Sequence, residues 1–552
     1  MRLGKWNISF LLILSLAIGL RFWGLNNEDI QSDAAVNSVR ALGWFDFLTG
    51  QGQTSPIIWF GEIPGWARLS FHDHPPLVFA VQHIFLRIFG ESSRAVLSSF
   101  ALAAVATTIL LYALVKKFRS PQEALLTALA FAASSYAVWA SRTGYLEGIE
   151  IFLVTASVYF FLRFVSEGQN RLWIWWVVVT GLALLSKYTA LFLPAAAFLY
   201  LLLWQRNVFR NKRFWFSLLL FLVVLAPVII YNFQLYQTRG HFDAALSSML
   251  GRHPEDYAVL TRQVNFGLAS NLASLWEVLR ANTSWPFLVL EVLALGYLVI
   301  AVLRKRADVL QKILLVNLLT LAGMFAFSGL TARFLTIALP LLSMALGLLI
   351  GKIWVELQIR RLIWKTAAVV ILLAVFGGEL LYAINTNLLP RPVGRAGIFY
   401  SPERFYQTGF QKLDRYLRQN AYGTLPKRKT VTKLTDVLDY DLRGREVILF
   451  DDRPDWNMRM WYIHRYQSYY DVPTVYLSDV LLQTGQQTDI FEYLLQAGAA
   501  GFWFVAAQGP AIVRQEFTGY NDLIAGITAK LEGASIAPSA EILNYAGKTA
   551  FK

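Results

Sequence analysis

Residues 95–119 read AVLSSFALAAVATTILLYALVKKFR: an uncharged run from Ala95 to Val115, then Lys116, Lys117 and Arg119. An apolar stretch of about twenty residues is long enough to cross bilayer hydrocarbon as a helix. A basic cluster at its end marks the cytoplasmic side by the positive-inside rule. Working outward, similar runs recur near 7–25, 124–140, 148–164, 172–186, 189–204, 214–236, 286–303, 313–330, 334–351 and 366–385. The predicted molecule is therefore mainly α, a polytopic membrane protein of about eleven transmembrane helices. Alternate connections carry the cations: Arg163 and Arg171; Arg206, Arg210, Lys212 and Arg213; Arg304, Lys305 and Arg306; Lys352, Arg360, Arg361 and Lys365. All fall on the side of Lys116. The apolar segment 75–89 would reverse that alternation if it spanned, so it reads as an interfacial or re-entrant helix. The run after Lys5 reads as an uncleaved first span.

Composition agrees. Of 552 residues 56% are apolar and only 16% charged, against about 25% charged in soluble domains. A soluble, disordered or fibrous chain is excluded. The absence of cysteine excludes disulfides, thiolate metal sites and cysteine nucleophiles. The formal net charge of +14 is a topology signal here, and no nucleic-acid partner is expected.

The other side of the membrane receives longer elements. Residues 1–386 read as the transmembrane domain, with outer loops 26–75 and 237–285. Residues 387–552 read as a separate extracytoplasmic soluble domain, because Pro390, Pro392 and Pro402 cluster and charges become frequent. Glu446-Val-Ile-Leu-Phe-Asp451 and Gly501-Phe-Trp-Phe-Val505 resemble buried strands and 489–497 a helix, hence an α/β module. Chemistry is expected on this outer side.

Candidate residues collect at the outer ends of the spans. Asp33 follows the first span closely; an acid there is either solvated or catalytic. Phe71-His-Asp-His-Pro-Pro-Leu77 places His72, Asp73 and His74 on a turn stiffened by two prolines. It is either a surface turn or part of a site, and two histidines around an aspartate leave a divalent metal conceivable. Ser141-Arg-Thr-Gly-Tyr-Leu-Glu-Gly-Ile-Glu150 places Arg142, Glu147 and Glu150 at two helix ends, where buried charge needs partners or a water-filled cavity. Either Arg142 pairs with Glu147, or both face a site. Lys187 and Arg333 are outward cations that run against the topology bias. Each is either a snorkelling side chain or half of a phosphate clamp, a point charge beside a bidentate fork. The second loop adds His241, His253 and Asp256, and the tail adds the aromatic residues Trp456, Trp461, Tyr462 and Tyr466.

In that order, Asp33, His72-Asp-His-Pro-Pro-Leu77, the Ser141 to Glu147 pattern, Leu185-Ser-Lys-Tyr188 and Arg333-Phe334 before Pro340 resemble glycosyltransferase family 39. These are C-type polyprenol-phosphate-sugar transferases, related to protein O-mannosyltransferases and the lipid A aminoarabinose transferase. The resemblance covers roughly residues 1–385. It implies inverting transfer of a monosaccharide from a polyprenyl-phosphate donor to a lipid, glycan or protein hydroxyl, at the outer face of a bacterial inner membrane. By the same resemblance Asp33 is the catalytic base and Glu147 an orienting acid, while Lys187 and Arg333, with Arg142, serve the donor phosphate. No cofactor is required, and His72 and His74 retain a metal alternative. Ala34 stands where many relatives carry a second acid, which sets the chain apart from protein O-mannosyltransferases proper. The rival class is a transporter or flippase of lipid-linked sugars, which would place its ionisable residues deep in the spans.

Overall fold

A computed structural model of the chain describes residues 5–25, 29–30, 32–47, 54–257, 267–329, 332–359, 361–400, 410–438, 441–451, 459–484, 490–507, 520–531, 536–537 and 544–550. Trp456, from the aromatic group above, lies outside them. The chain divides into two units. One holds Met1–Leu25, Gly50–Gln53 and Gly65–Tyr400, the other Asn26–Thr49, Thr54–Pro64 and Ser401–Lys552.

The first unit is helical. Among the described residues six helices are long and apolar enough to cross a membrane: Ser93–Phe118, Glu147–Glu167, Trp285–Leu303, Val309–Phe327, Phe334–Leu357 and Leu362–Asn387. The pair Phe214–Val224 and Ala226–Arg239 is bent by 64°, where Pro227 withholds an N–H from the helical ladder. Trp6–Phe22, Asn170–Ser186 and Tyr188–Trp204 are shorter apolar helices, and so is Leu77–Phe89. The last has 13 residues, about 20 Å of helix, too short for a straight crossing.

The single span predicted over 124–140 needs correction, because it is broken into Pro121–Ala133 and Ser135–Ala140 at Ser134. Polar groups from distant helices satisfy the interrupted backbone. Arg21 donates to the carbonyls of Phe131 and Ala132 at 3.1 Å each. Glu379 accepts the Ser135 N–H at 2.8 Å and, through its other oxygen, the Ser284 N–H at 2.9 Å. Asn387 donates to the Ser135 carbonyl at 3.1 Å. Backbone can leave the helical pattern at membrane depth only where such partners exist. Close packing also needs small residues: a Cβ on Gly347 would lie 2.1 Å from Thr127 Oγ1, and one on Gly351 2.2 Å from Glu123 Cγ.

The second unit is α/β. Among the described residues its five strands are β1 (Glu446–Phe450), β2 (Thr474–Tyr476), β3 (Gly501–Ala507), β4 (Ile536–Ala537) and β5 (Asn544–Ala550), in the order β2-β1-β3-β5-β4. β1 runs parallel to β2 and β3, with Val447 opposite Phe502; β5 is antiparallel to β3 and β4. The continuous apolar runs of β1 and β3 suit strands covered on both faces. Val447, Leu449, Phe502 and Phe504 are buried together with Ile490 and Leu494 of the helix Ile490–Gln496.

The division differs from the sequence grouping in one respect. The sequence places loop 26–75 with the spans, yet the described residues of 26–49 and 54–64 fold with the C-terminal part, which itself begins at Ser401. The cause is direct bonding. Asp29 accepts the N–H groups of Phe410 and Gln411, Ile63 donates to the Thr432 carbonyl at 2.9 Å, and Tyr469 donates to the Val39 carbonyl at 2.5 Å.

Candidate active site

The helical unit gathers three of the predicted residues. Glu147 opens the helix Glu147–Glu167, where the positive end of the backbone dipole favours an acid. The next helix, Asn170–Ser186, returns antiparallel and stops at Lys187, whose extended backbone (φ −165°, ψ 144°) separates it from the 3₁₀ turn Tyr188–Leu191. That break brings the Lys187 ammonium onto Glu147 Oε1. Arg333 precedes the 3₁₀ turn Phe334–Ala338, and its Nε lies 3.8 Å from the same oxygen. A cation at a helix N-terminus opposes the dipole, so Glu147 offsets an otherwise unfavourable position. The Glu147 and Lys187 side chains are 3% and 9% exposed, while that of Arg333 is 29% exposed. Aromatic rings line the cations: Phe334 lies 3.9 Å from Lys187 Nζ, and Tyr145 5.5 Å from the Arg333 guanidinium.

Glu150 lies one turn beyond Glu147 on the same helix and is buried, with Thr189 donating to its Oε1. Against Glu147, the two cations leave a formal charge of +1 when Glu150 carries a proton and zero when it does not. The cluster is a buried, aromatic-lined cationic group that one partly exposed arginine opens to a ligand, suited to an anion such as phosphate.

Arg142 is engaged elsewhere. Its Nη1 donates to the carbonyls of Leu20 (3.0 Å) and Arg21 (3.2 Å), the unsatisfied end of the first helix. The pairing of Arg142 with Glu147 is therefore replaced by Lys187 and Arg333.

The His72-Asp73-His74 turn packs against the second loop. The His72 carbonyl accepts the Ala244 N–H at 2.7 Å, and its buried ring stacks on Tyr257 with centroids 5.7 Å apart. Asp73 Oδ1 lies 3.1 Å from His74 Nδ1. No group of three or more potential ligands able to hold a metal occurs among the described residues. In the second loop, His241 and Arg239 both hold Asp256, at 2.9 and 2.7 Å, and His253 is exposed.

Asp243 is a functional candidate that the sequence pattern does not single out. It accepts from the Tyr188 hydroxyl (2.6 Å), Asn232 Nδ2 (2.8 Å) and the Leu246 N–H (2.8 Å), tying this loop to the residue next to Lys187. Burial raises its pKa above the ordinary carboxylate value, Asp73 adds to the rise, and these hydrogen bonds oppose it. The one local signal was its place before a short helix, which reads as an ordinary N-cap.

In the other unit, Asp33 lies in the first turn of the helix Ser32–Gly43, half-buried. Ser32 just before it has φ 50°, a left-handed conformation unusual for a non-glycine residue.

Residues 73–231 match the family described as dolichyl-phosphate-mannose-protein mannosyltransferase. Two proposed mannosyltransferases of Bacillus subtilis (strain 168), YycA and YkcB, are 33% identical over 153 residues and 27% identical over 159. Each alignment covers 28% of this chain and 22% of the relative, so the chain matches about a fifth of their length. ArnT from Cupriavidus metallidurans, solved with undecaprenyl phosphate, superposes with a TM-score of 0.56 at 13% identity, covering 98% of this chain and 97% of ArnT. An Archaeoglobus fulgidus oligosaccharyltransferase, tethered to an acceptor peptide containing the NVT sequon, gives 0.51 at 12%, covering 99% of this chain and 74% of its own. At such identities the likeness establishes a shared fold.

Proposed function

We propose, from the membership of this chain in the C-type (GT-C) glycosyltransferase family, that it transfers a monosaccharide from a polyprenyl-phosphate donor to an acceptor hydroxyl with inversion at the anomeric carbon. The observation that carries this reading is the buried Glu147–Lys187–Arg333 cluster. The donor is a phosphodiester with one negative charge. Breaking the anomeric C–O bond leaves polyprenyl phosphate with two, so fixed cations stabilise the departing group more than the bound donor. Lys187 and Arg333 supply them, and Glu147 holds both in place. The undecaprenyl phosphate in the ArnT structure supports a lipid phosphate as the ligand class.

Asp33 takes the role of general base. As the new glycosidic bond forms, its carboxylate accepts the acceptor hydroxyl's proton. Arg142 serves the site indirectly, by holding the end of the first helix. The turn His72–His74 and the loop bearing Asp243 border the acceptor side. The basic loops face the cytoplasm of a bacterial cell, and the cluster, with the C-terminal unit, faces outward. The acceptor is a lipid, glycan or protein hydroxyl.

The test is transfer of labelled sugar from a polyprenyl-phosphate donor by the purified chain and by Asp33→Asn. Loss of transfer with retained donor binding is expected. Full activity in Asp33→Asn would remove the base, and a chain that translocates the donor without ever cleaving it would be a transporter.

A further inference from the structure

Nothing in the proposed chemistry employs the C-terminal sequence, yet that sequence holds the helix that carries Asp33. Ser32–Gly43 has 12 residues, a length at which an isolated helix is marginal in water. Left-handed non-glycine residues bracket it, Ser32 at φ 50° and Trp44 at φ 54°. Such conformations cost about 1 kcal/mol or more each and persist only where surrounding structure imposes them. The termini of this helix are therefore set by tertiary bonds.

Those bonds come from the segment 459–470. Before the helix, the Ile30 N–H donates to the Tyr462 hydroxyl at 2.8 Å, and that hydroxyl lies 3.4 Å from Asp29 Oδ1. Asp29 in turn caps the helix Phe410–Asn420, accepting from Phe410 N (3.3 Å) and Gln411 N (3.0 Å). At the other end, the Tyr469 hydroxyl donates to the Val39 carbonyl at 2.5 Å. The Tyr469 ring presses on Gly43 so closely that a Cβ there would lie 2.1 Å from a ring carbon. Phe45 meets that ring edge-on at 5.6 Å, and Phe47 stacks on His464 at 4.7 Å. Met460–His464 is a π-helical turn, a widened geometry frequent at functional sites, and it bears both Tyr462 and His464.

We propose that Tyr462 and Tyr469 are positioning residues that set the place of the Asp33 carboxylate, so that the C-terminal domain is part of the transferase's catalytic apparatus. The inference rests on the reading of Asp33 as the base. Neither tyrosine touches substrate. Each acts through the helix, one at its start and one at its end, with Gly43 as the socket for the second.

The experiment uses the full-length chain in detergent with labelled polyprenyl-phosphate sugar. The variants are Tyr462→Phe, Tyr469→Phe, both together and Gly43→Val, with Tyr466→Phe as the control. Tyr466 bonds Asp414 and Arg465 within the same domain and, among the described residues, makes no bond to the first loop. A base displaced by about 1 Å costs on the order of a hundredfold in rate. The double variant is expected to lower kcat by about 10- to 100-fold with donor KM within about twofold, and Gly43→Val to do likewise. Adding the double change to Asp33→Asn is expected to cause no further loss. Tyr466→Phe is expected to stay near the parent. Unchanged kcat in the double variant and in Gly43→Val would overturn the inference while Asp33→Asn remained inactive, and so would an equal loss in Tyr466→Phe. Full activity in Asp33→Asn would overturn the base assignment and the inference with it.

Discussion

Replacing Lys187 by methionine keeps most of the side chain's length and removes its charge, leaving Arg333, at 3.8 Å, as the cation beside the Glu147 carboxylate among the described residues. Both members of the broken pair are almost fully buried. Removing one partner of a buried ion pair costs about 3–5 kcal/mol. The remaining arginine keeps Glu147 partly compensated, so the lower end, about 3 kcal/mol, is the expected loss of stability. A phosphate contact made by the same ammonium is worth about 1.5–3 kcal/mol as a charge-assisted hydrogen bond, or roughly 10- to 150-fold in Kd. The two effects separate in Lys187→Met with Glu147→Gln, which buries neither charge. That double variant should regain most of the lost stability. Compared with Glu147→Gln alone, it should still bind polyprenyl phosphate about 10- to 150-fold more weakly. Thermal unfolding of the purified protein reads the first quantity, and calorimetric titration with polyprenyl phosphate the second. Equal Kd values for the double variant and Glu147→Gln would make Lys187 a structural ion-pair partner and refute the phosphate assignment.

Glu150→Gln retains an acceptor for Thr189 and fixes the formal charge of the cluster at +1, so phosphate binding should tighten where Glu150 is ionised in the parent and stay unchanged where it is protonated. Weaker binding in the same titration would contradict the charge count. His464 in the C-terminal unit has its pKa lowered from 6.5 to about 4, chiefly by burial, against a raising hydrogen bond with Gln467. Its neutral form is thus the folded one. Stability is complete above pH 6.5 and falls as pH drops toward 4, where the unfolded chain takes a proton that the folded one refuses, by at most roughly 3 kcal/mol. Hydrogen exchange over 459–470 should show this slope, and His464→Phe should remove it; identical slopes would exclude the histidine as its source. Gly347→Val should lower the thermal midpoint sharply, since even a Cβ would meet Thr127 Oγ1 at 2.1 Å and the Glu123 carbonyl at 2.9 Å. Gly296→Ala, which meets nothing within 4 Å, is its control.

The amino-acid sequence by itself determined that this chain lives in a bilayer, where its long helices run, and which charged residues stand at their ends. These are local properties: an uncharged run such as Ala95–Val115 has few other stable homes, whatever the rest of the chain does. It also exposed Glu147, Lys187 and Arg333 as oddities, because charge near a span is costly and needs a reason. The partners of those charges were a matter for the tertiary structure alone. Glu147 has an equally local candidate in Arg142, and only the folded arrangement assigns Arg142 to the first helix's carbonyls and Lys187 to Glu147. The break at Ser134 was hidden for a similar reason. Its apolar flanks look continuous, and the groups that make it tolerable, Arg21, Glu379 and Asn387, come from the two ends of the helical unit. The bond between the Asp33 helix and the C-terminal domain was equally illegible. It depends on two tyrosine hydroxyls, one small residue and a capping aspartate, more than four hundred positions separating each tyrosine from its first-loop partner. Hydropathy depends on residues that are neighbours in the chain, whereas hydrogen bonds and ion pairs depend on residues that folding makes neighbours in space.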